Sequence, residues 1–268
     1  MPASAFDPVL AVALGNFVLQ IKEWDEETSP ANVVPPAGYT LLHFLIGNDL
    51  IPGLPDFDVY GYIARSPDGS DLVVAIRGTA GILEWFKDFQ FRLVTYPYAP
   101  GAGRSATGFT SLYASLGITK DITPGNIVPD PAGPRIIEVL RGLLADPAFK
   151  TLHIVGYSLG AALATLLALD VVANRVFASP TVYTFASPAV GDKKFAGTYD
   201  TRVPDTWRIS NEADIITHFP LPIMGFVHVD RERRIDPGHE PLLRFDCQHD
   251  LRTYLHALDP TITKTQGC

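Results

Sequence analysis

The chain of 268 residues carries 21 Lys and Arg against 29 Asp and Glu, a formal net charge of −8, and 47% of its residues are hydrophobic. That length and apolar content suit one packed core near the upper end of domain size, while an acidic balance without clustered basic residues argues against nucleic-acid binding. No apolar run approaches the roughly 18 to 20 residues that cross a bilayer, and two cysteines, Cys247 and Cys268, do not make a disulfide framework, although they could pair near the C-terminus.

The opening MPASAFDPVLAVALGNFVLQIKEW has no Lys or Arg ahead of its apolar residues and contains Asp7-Pro8, a helix start. It reads as a helix ended by Pro30, Pro35 and Pro36, and not as a signal peptide. A cytoplasmic protein and a trimmed secreted one would both look like this. YTLLHFLIG then reads as a strand with apolar residues on both faces. FDVYGYIARS and DLVVAIRG follow as two strands joined by Pro67-Asp68-Gly69-Ser70, the turn chemistry of a hairpin. After a Gly- and Pro-rich stretch from Pro97 to Gly108, helices are expected near Gly108–Leu116 and Pro134–Leu144. TLHIVGYSLGAALATLLALD is an apolar strand that turns into an apolar helix at Ser158. TVYTFAS, TWRISN and FVHVDRERRI read as further strands, and a last helix is expected from His249 to Leu258. Strands interleaved with helices, without repeats or linkers, predict one α/β domain over residues 1–268: a mostly parallel central sheet flanked by helices, with an antiparallel hairpin at its start.

Gly156-Tyr157-Ser158-Leu159-Gly160 fits the G-x-S-x-G nucleophile elbow, in which a serine occupies a strained strand-to-helix turn and the small flanking residues prevent a clash. Chance matches occur in Gly-rich chains, but here the required strand precedes the motif and the required helix follows it. The helix N-terminus faces the serine, where its N–H groups and dipole can stabilise an oxyanion. Such a serine needs a base, and the base an orienting acid, in the chain order Ser, Asp or Glu, His. His43 and His153 lie inside apolar strand patterns and read as satisfied core histidines; of those after the serine, His249 is set apart by opening the terminal helix, whereas His256 lies two turns along it. For the acid, Asp214 falls just beyond a strand, at the sheet edge where ligand crevices form. Asp170 and Asp192 are structural alternatives, the latter as a turn or helix cap.

Five segments resemble the class 3 lipases, the fungal-type triacylglycerol lipase family of α/β-hydrolases. AIRGTAGILEWFKDFQF is similar to the family's Arg-Gly-Ser/Thr segment and Trp-containing lid, GYSLGAALATLLALD to its elbow, and TFASPAVGDKKFA to the strand and turn after it. SNEADIITHFP resembles the segment carrying the acid, and HDLRTYL the catalytic histidine with an aromatic residue five positions on. The resemblance covers roughly Val73 to Ala257. It implies Ser158 as nucleophile, Asp214 as acid and His249 as base. The oxyanion donors it implies are Leu159 and Thr79, with Asp88 placed to fix the Thr79 hydroxyl. Tyr157 departs from the family's usual His and Ala161 from its usual Gly; the secreted fungal members carry more disulfides.

The lid falls at about residues 81–93. On a helix, Ile82, Phe86 and Phe89 share one face, with Leu83 and Trp85 beside them; an ordinary core-facing helix would show the same pattern. Its place directly after Thr79 favours a cover that opens at a lipid surface. Ile82, Trp85, Phe89, Ile215 and Phe219 are the expected substrate contacts, with Ile216, Leu221 and Ile223 as further candidates for an acyl pocket. The expected activity is hydrolysis of acylglycerol esters through an acyl-enzyme, without metal or organic cofactor, on a lipid ester at an oil–water or membrane interface. No stable protein partner is implied. Short-chain or feruloyl esterases and phospholipases A1 share the fold, the former with a more polar lid; an inactive lipase-like binding protein is a further alternative.

Overall fold

The computed structural model describes residues 4–22, 33–36, 38–48, 57–79, 91–120, 133–238 and 244–268. In chain order the main elements are helix α1 (Pro8–Lys22), strands β1 (Thr40–Asn48), β2 (Phe57–Arg65), β3 (Asp71–Ile76), β4 (Leu93–Thr95) and β5 (Arg104–Ala106), α2 (Thr107–Ser115), β6 (Gly117–Thr119) and α3 (Ile136–Leu143). Then come β7 (Thr151–Tyr157), α4 (Leu159–Ala173), β8 (Thr181–Phe185), β9 (Gly191–Asp192), α5 (Lys193–Arg202), β10 (Thr206–Asn211), β11 (Phe226–Val227), β12 (Glu232–Ile235), α6 (Phe245–Gln248) and α7 (Leu251–Leu258). α1 begins where Asp7 accepts the N–H groups of Val9 and Leu10, as a helix start requires.

Among the described residues, eight strands form the central sheet in the order β12-β10-β8-β7-β3-β2-β1-β6. From β12 to β3 every pairing is parallel; β2, β1 and β6 close the other edge antiparallel. Alternation along the strands sends side chains to two separate cores. Leu72, Val74, Ile76, Leu152 and Ile154 pack with α2, α3, α4 and α5 on one face, while Val73, Ala75, Val155 and Tyr157 pack with α1 and α7 on the other. Apart from Thr165 and Asp170, α4 is apolar on every side, and it is buried from Leu159 to Val171, as a helix sunk beside a sheet must be. No helix among the described residues is long and apolar enough to cross a membrane.

FVHVDRERRI is not one strand. β11 joins a second, four-stranded sheet in the order β11-β9-β5-β4, and only β12 enters the central sheet. The strands of that smaller sheet are two or three residues long, too short to carry a period of two. The terminal helix is α7, which is capped by Asp250 and begins at Leu251; the short α6 ends at Gln248 ahead of it, so His249 lies in the joint between the two and does not open the helix. His43 and His153 are in the sheet, but neither is fully satisfied: no group hydrogen-bonds the buried Nδ1 of either among the described residues. Burial lowers the pKa of both, which keeps them neutral.

Candidate active site

Three loops at the carboxyl ends of parallel strands meet at the C-terminal edge of the sheet, and each brings one part of the site. β7 ends at Tyr157, and Ser158 turns the chain into α4 with φ 56° and ψ −123°, a conformation that costs about 1–3 kcal/mol for a residue with a side chain. The surroundings hold it there: its N–H donates to Phe185 O at 2.9 Å and its carbonyl accepts from Ala161 at 3.0 Å. Both elbow glycines are obligatory. A Cβ on Gly156 would stand 2.2 Å from Gly160 O, and one on Gly160 would stand 2.3 Å from Ile76 O.

β10 is followed by Asp214, fully buried at the start of a 3-10 turn, Ile215–His218. Asp214 Oδ1 accepts from the Ile216 N–H at 3.0 Å, which leaves Oδ2 for two donors: His249 Nδ1 at 2.7 Å and the Tyr254 hydroxyl at 2.7 Å. His249 Nε2 lies 2.8 Å from Ser158 Oγ. Serine, imidazole and carboxylate thus form one connected line in which the imidazole can take the serine proton and the carboxylate can hold the resulting cation. Phe245 stacks on the His249 ring at 5.5 Å between centroids.

The other histidines after the serine are committed elsewhere. His218 Nε2 meets Glu212 O at 2.8 Å, His228 Nε2 meets Thr217 O at 2.7 Å and His256 Nδ1 meets Ile262 O at 2.8 Å; His239 lies outside the described residues. Asp170 is an anchor in the core, bonded to Tyr113, Arg135 and Asn174. Asp192 caps α5 through Phe195 N and pairs with Arg104.

β3 leads to Thr79. A Cβ on Gly78 would stand 2.9 Å from the Ser158 Cβ, so the chain that carries Thr79 runs against the serine, and Leu159 opens α4 directly after it. Arg77 holds this segment: its buried guanidinium donates to Val59 O at 2.6 Å and Gly78 O at 3.0 Å and pairs with Asp58. Asp88, Ile82, Trp85 and Phe89 lie outside the described residues, as does the lid up to residue 90; Leu93, at its expected end, opens β4. Ile215 and Phe219 border the acid. Ile216 is core, whereas Ile215, Leu221 and Ile223 are 44%, 44% and 92% exposed and lie on the surface.

Three residues of this site went unassigned by sequence reasoning. Tyr254 is the aromatic residue five positions after His249, and only its position was legible. Asn211 clamps the two loops together: its side-chain N–H₂ donates to Gln248 O at 3.0 Å and to Gln248 Oε1 at 2.7 Å, and its carbonyl accepts from Asp214 N at 3.1 Å. Nothing in the residue types of Asn211 and Gln248 signals that pairing.

The family described as Lipase (class 3) matches residues 73–224. Phospholipase A1-II 7 of Oryza sativa subsp. indica is 32% identical over 234 residues, 74% of this chain and 55% of its own. The secreted mono- and diacylglycerol lipase A of Penicillium cyclopium is 31% identical over 175 residues, 65% of this chain and 51% of its own. The chain therefore spans about half the length of these relatives. Among solved structures, a mutant form of MDLA from Penicillium cyclopium superposes with a TM-score of 0.60 at 25% identity, covering 87% of this chain and 79% of that one.

Proposed function

The chain belongs to the class 3 lipase family, and from that premise we propose that it hydrolyses carboxylic esters of lipids, acylglycerols first among them, through Ser158, His249 and Asp214. The observation that carries the reading is the unbroken line from Ser158 Oγ through His249 to Asp214 Oδ2, with contacts of 2.8 and 2.7 Å. His249 Nε2 takes the Ser158 proton as Oγ attacks the ester carbonyl, and Asp214 steadies the imidazolium. The carbonyl oxygen becomes an oxyanion between the N–H groups of Leu159 and Thr79, with the α4 dipole behind it. The tetrahedral centre collapses, His249 returns the proton to the departing alcohol, and the acyl group stays on Ser158. Water activated by the same imidazole then releases the fatty acid.

Residues 81–93 are proposed as the lid over this centre, and an oil–water or membrane surface as the place where it works. The exposed apolar residues beside Asp214 support that reading. A phospholipid ester is the second reading, favoured by the 32% identity to a rice phospholipase A1. The test is the initial rate on p-nitrophenyl esters from acetyl to palmitoyl, below and above the concentration at which the long esters aggregate. A rate that rises with aggregation supports a lidded lipase. Simple saturation that peaks at short chains makes the protein an esterase, and unreduced turnover in Ser158→Ala removes the assignment altogether. Triacylglycerol emulsion against phosphatidylcholine vesicles separates the two lipid substrates.

A further inference from the structure

Tyr157 stands where the family resemblance leads one to expect His, one residue before Ser158, and its side chain turns away from the serine into the core shared with α1 and α7. Its hydroxyl donates to the main-chain carbonyl of His249, and its ring lies 5.1 Å from the imidazole. That carbonyl belongs to a joint: α6 has ended at Gln248, α7 has not begun until Leu251, and His249 N–H is bonded back to Phe245 O at 2.9 Å. Carbonyls at a helix end have no partner within the helix, and a buried one requires a donor from elsewhere. Tyr157 supplies it. Burial, with Asp214 and Asp250 adding to the effect, raises its pKa well above the usual value, so the hydroxyl stays a donor at any working pH.

Lys22, the last residue of α1, touches both sides of this contact. Its Nζ lies 5.6 Å over the Tyr157 ring and 2.7 Å from Asp250 Oδ1. Asp250 is the residue after His249; its other oxygen accepts the Thr265 hydroxyl. One cation from the N-terminal helix thus grips the tyrosine that holds residue 249 and the carboxylate of residue 250.

We propose that Tyr157, steadied by Lys22, is a positioning residue: it fixes the main chain of His249, so that the approach of the imidazole to Ser158 is set from α1 as well as from Asp214. The inference rests on Ser158, Asp214 and His249 acting as a triad. Two adjacent residues held from one side resist rotation of the peptide between them, and a displacement of about 1 Å at a catalytic group can cost up to about a hundredfold in rate.

The experiment compares Tyr157→Phe, Lys22→Met and the double variant at a temperature well below their melting points. Two readouts are used: hydrolysis of soluble p-nitrophenyl butyrate, and the rate of covalent labelling by diethyl p-nitrophenyl phosphate, which needs the aligned base but no lipid surface. The expected result for Tyr157→Phe is kcat lowered about tenfold with KM unchanged, and labelling slowed by the same factor. Lys22→Met is expected to lower both by about threefold, and the double variant to be no slower than Tyr157→Phe, because both act through one peptide. A Tyr157→Phe protein that melts earlier but turns over and labels like the parent would show a purely structural role and overturn the proposal; so would additive effects in the double variant. If Tyr157→Phe does not fold, Lys22→Met decides alone, since its side chain is 34% exposed and dispensable to the core; unchanged labelling there overturns the proposal. A parent protein that is not labelled at all removes the triad reading itself, an outcome distinct from any defect confined to the variants.

Discussion

The hydroxyl of Tyr254 donates to Asp214 Oδ2 at 2.7 Å, the same oxygen that receives His249 Nδ1, while Tyr254 Oη itself accepts the Asn211 N–H at 3.2 Å. The acid is thereby fixed from α7 as well as from β10. Tyr254→Phe removes one of three donors to a buried carboxylate, a loss of about 1–3 kcal/mol. The expected outcome is a lower melting temperature together with a kcat reduced by roughly tenfold, read on a soluble ester so that interface binding does not enter.

The elbow glycines give a sharper contrast. Gly160→Ala places a Cβ 2.3 and 2.4 Å from the carbonyl oxygens of Ile76 and Arg77, main-chain atoms that cannot move aside. It is expected to cost on the order of 3 kcal/mol or prevent folding. Gly142 in α3 has nothing within 4 Å of its would-be Cβ, so Gly142→Ala is expected to stabilise by about 0.5–1 kcal/mol. Urea titration of both variants checks the sign of each.

Acid should weaken the fold through His228. Burial, followed by the charge of Arg208 and opposed by the bond to Thr217 O and then by Glu232, holds this imidazole at a pKa of about 4, below the usual 6.5 of histidine. The neutral form is therefore native. As pH falls below 6.5 the unfolded chain takes up a proton that the folded chain refuses until about pH 4, so stability that is complete above 6.5 is lost across that window, by up to about 3 kcal/mol. Melting temperatures between pH 7.5 and 4.5 should fall more gently in His228→Gln; equal slopes would contradict the assignment.

Ile223, 92% exposed, stands with Leu221 and Met224, each 44% exposed, on the stretch that follows the acid and leads to Val227 of β11, 41% exposed. Its removal costs the fold nothing, but burial in lipid would contribute about 1.5–3 kcal/mol. Ile223→Gln is expected to keep the parent's melting temperature and its rate on p-nitrophenyl butyrate, while adsorption to phosphatidylcholine vesicles weakens about tenfold.

Cys247 and Cys268, 21 residues apart, form a disulfide that ties the C-terminus to α6. Closing a loop of that length stabilises by about 3 kcal/mol in the chain-entropy account. Melting with and without a thiol reductant, against Cys268→Ser as control, should show that difference in the parent alone.

What the residues alone determined was local. The strand-to-helix change at Ser158, the hairpin turn at Pro67–Ser70 and the helix start at Asp7-Pro8 are each written within a few neighbouring positions, because steric freedom and period act over that range. The α/β layering, and the proposal of Ser158, Asp214 and His249 as the reacting groups, also followed from spacing and resemblance. The tertiary structure alone decided what depends on distant segments meeting. The fate of FVHVDRERRI, split between two sheets, was set by which edge each short strand could reach, and two-residue strands carry no pattern of their own. Asn211 meets Gln248 across 37 residues and Tyr157 meets His249 across 92. Neither bond leaves a trace in sequence, since any donor of the right length could have served and only the packed backbone selects which one lies within reach.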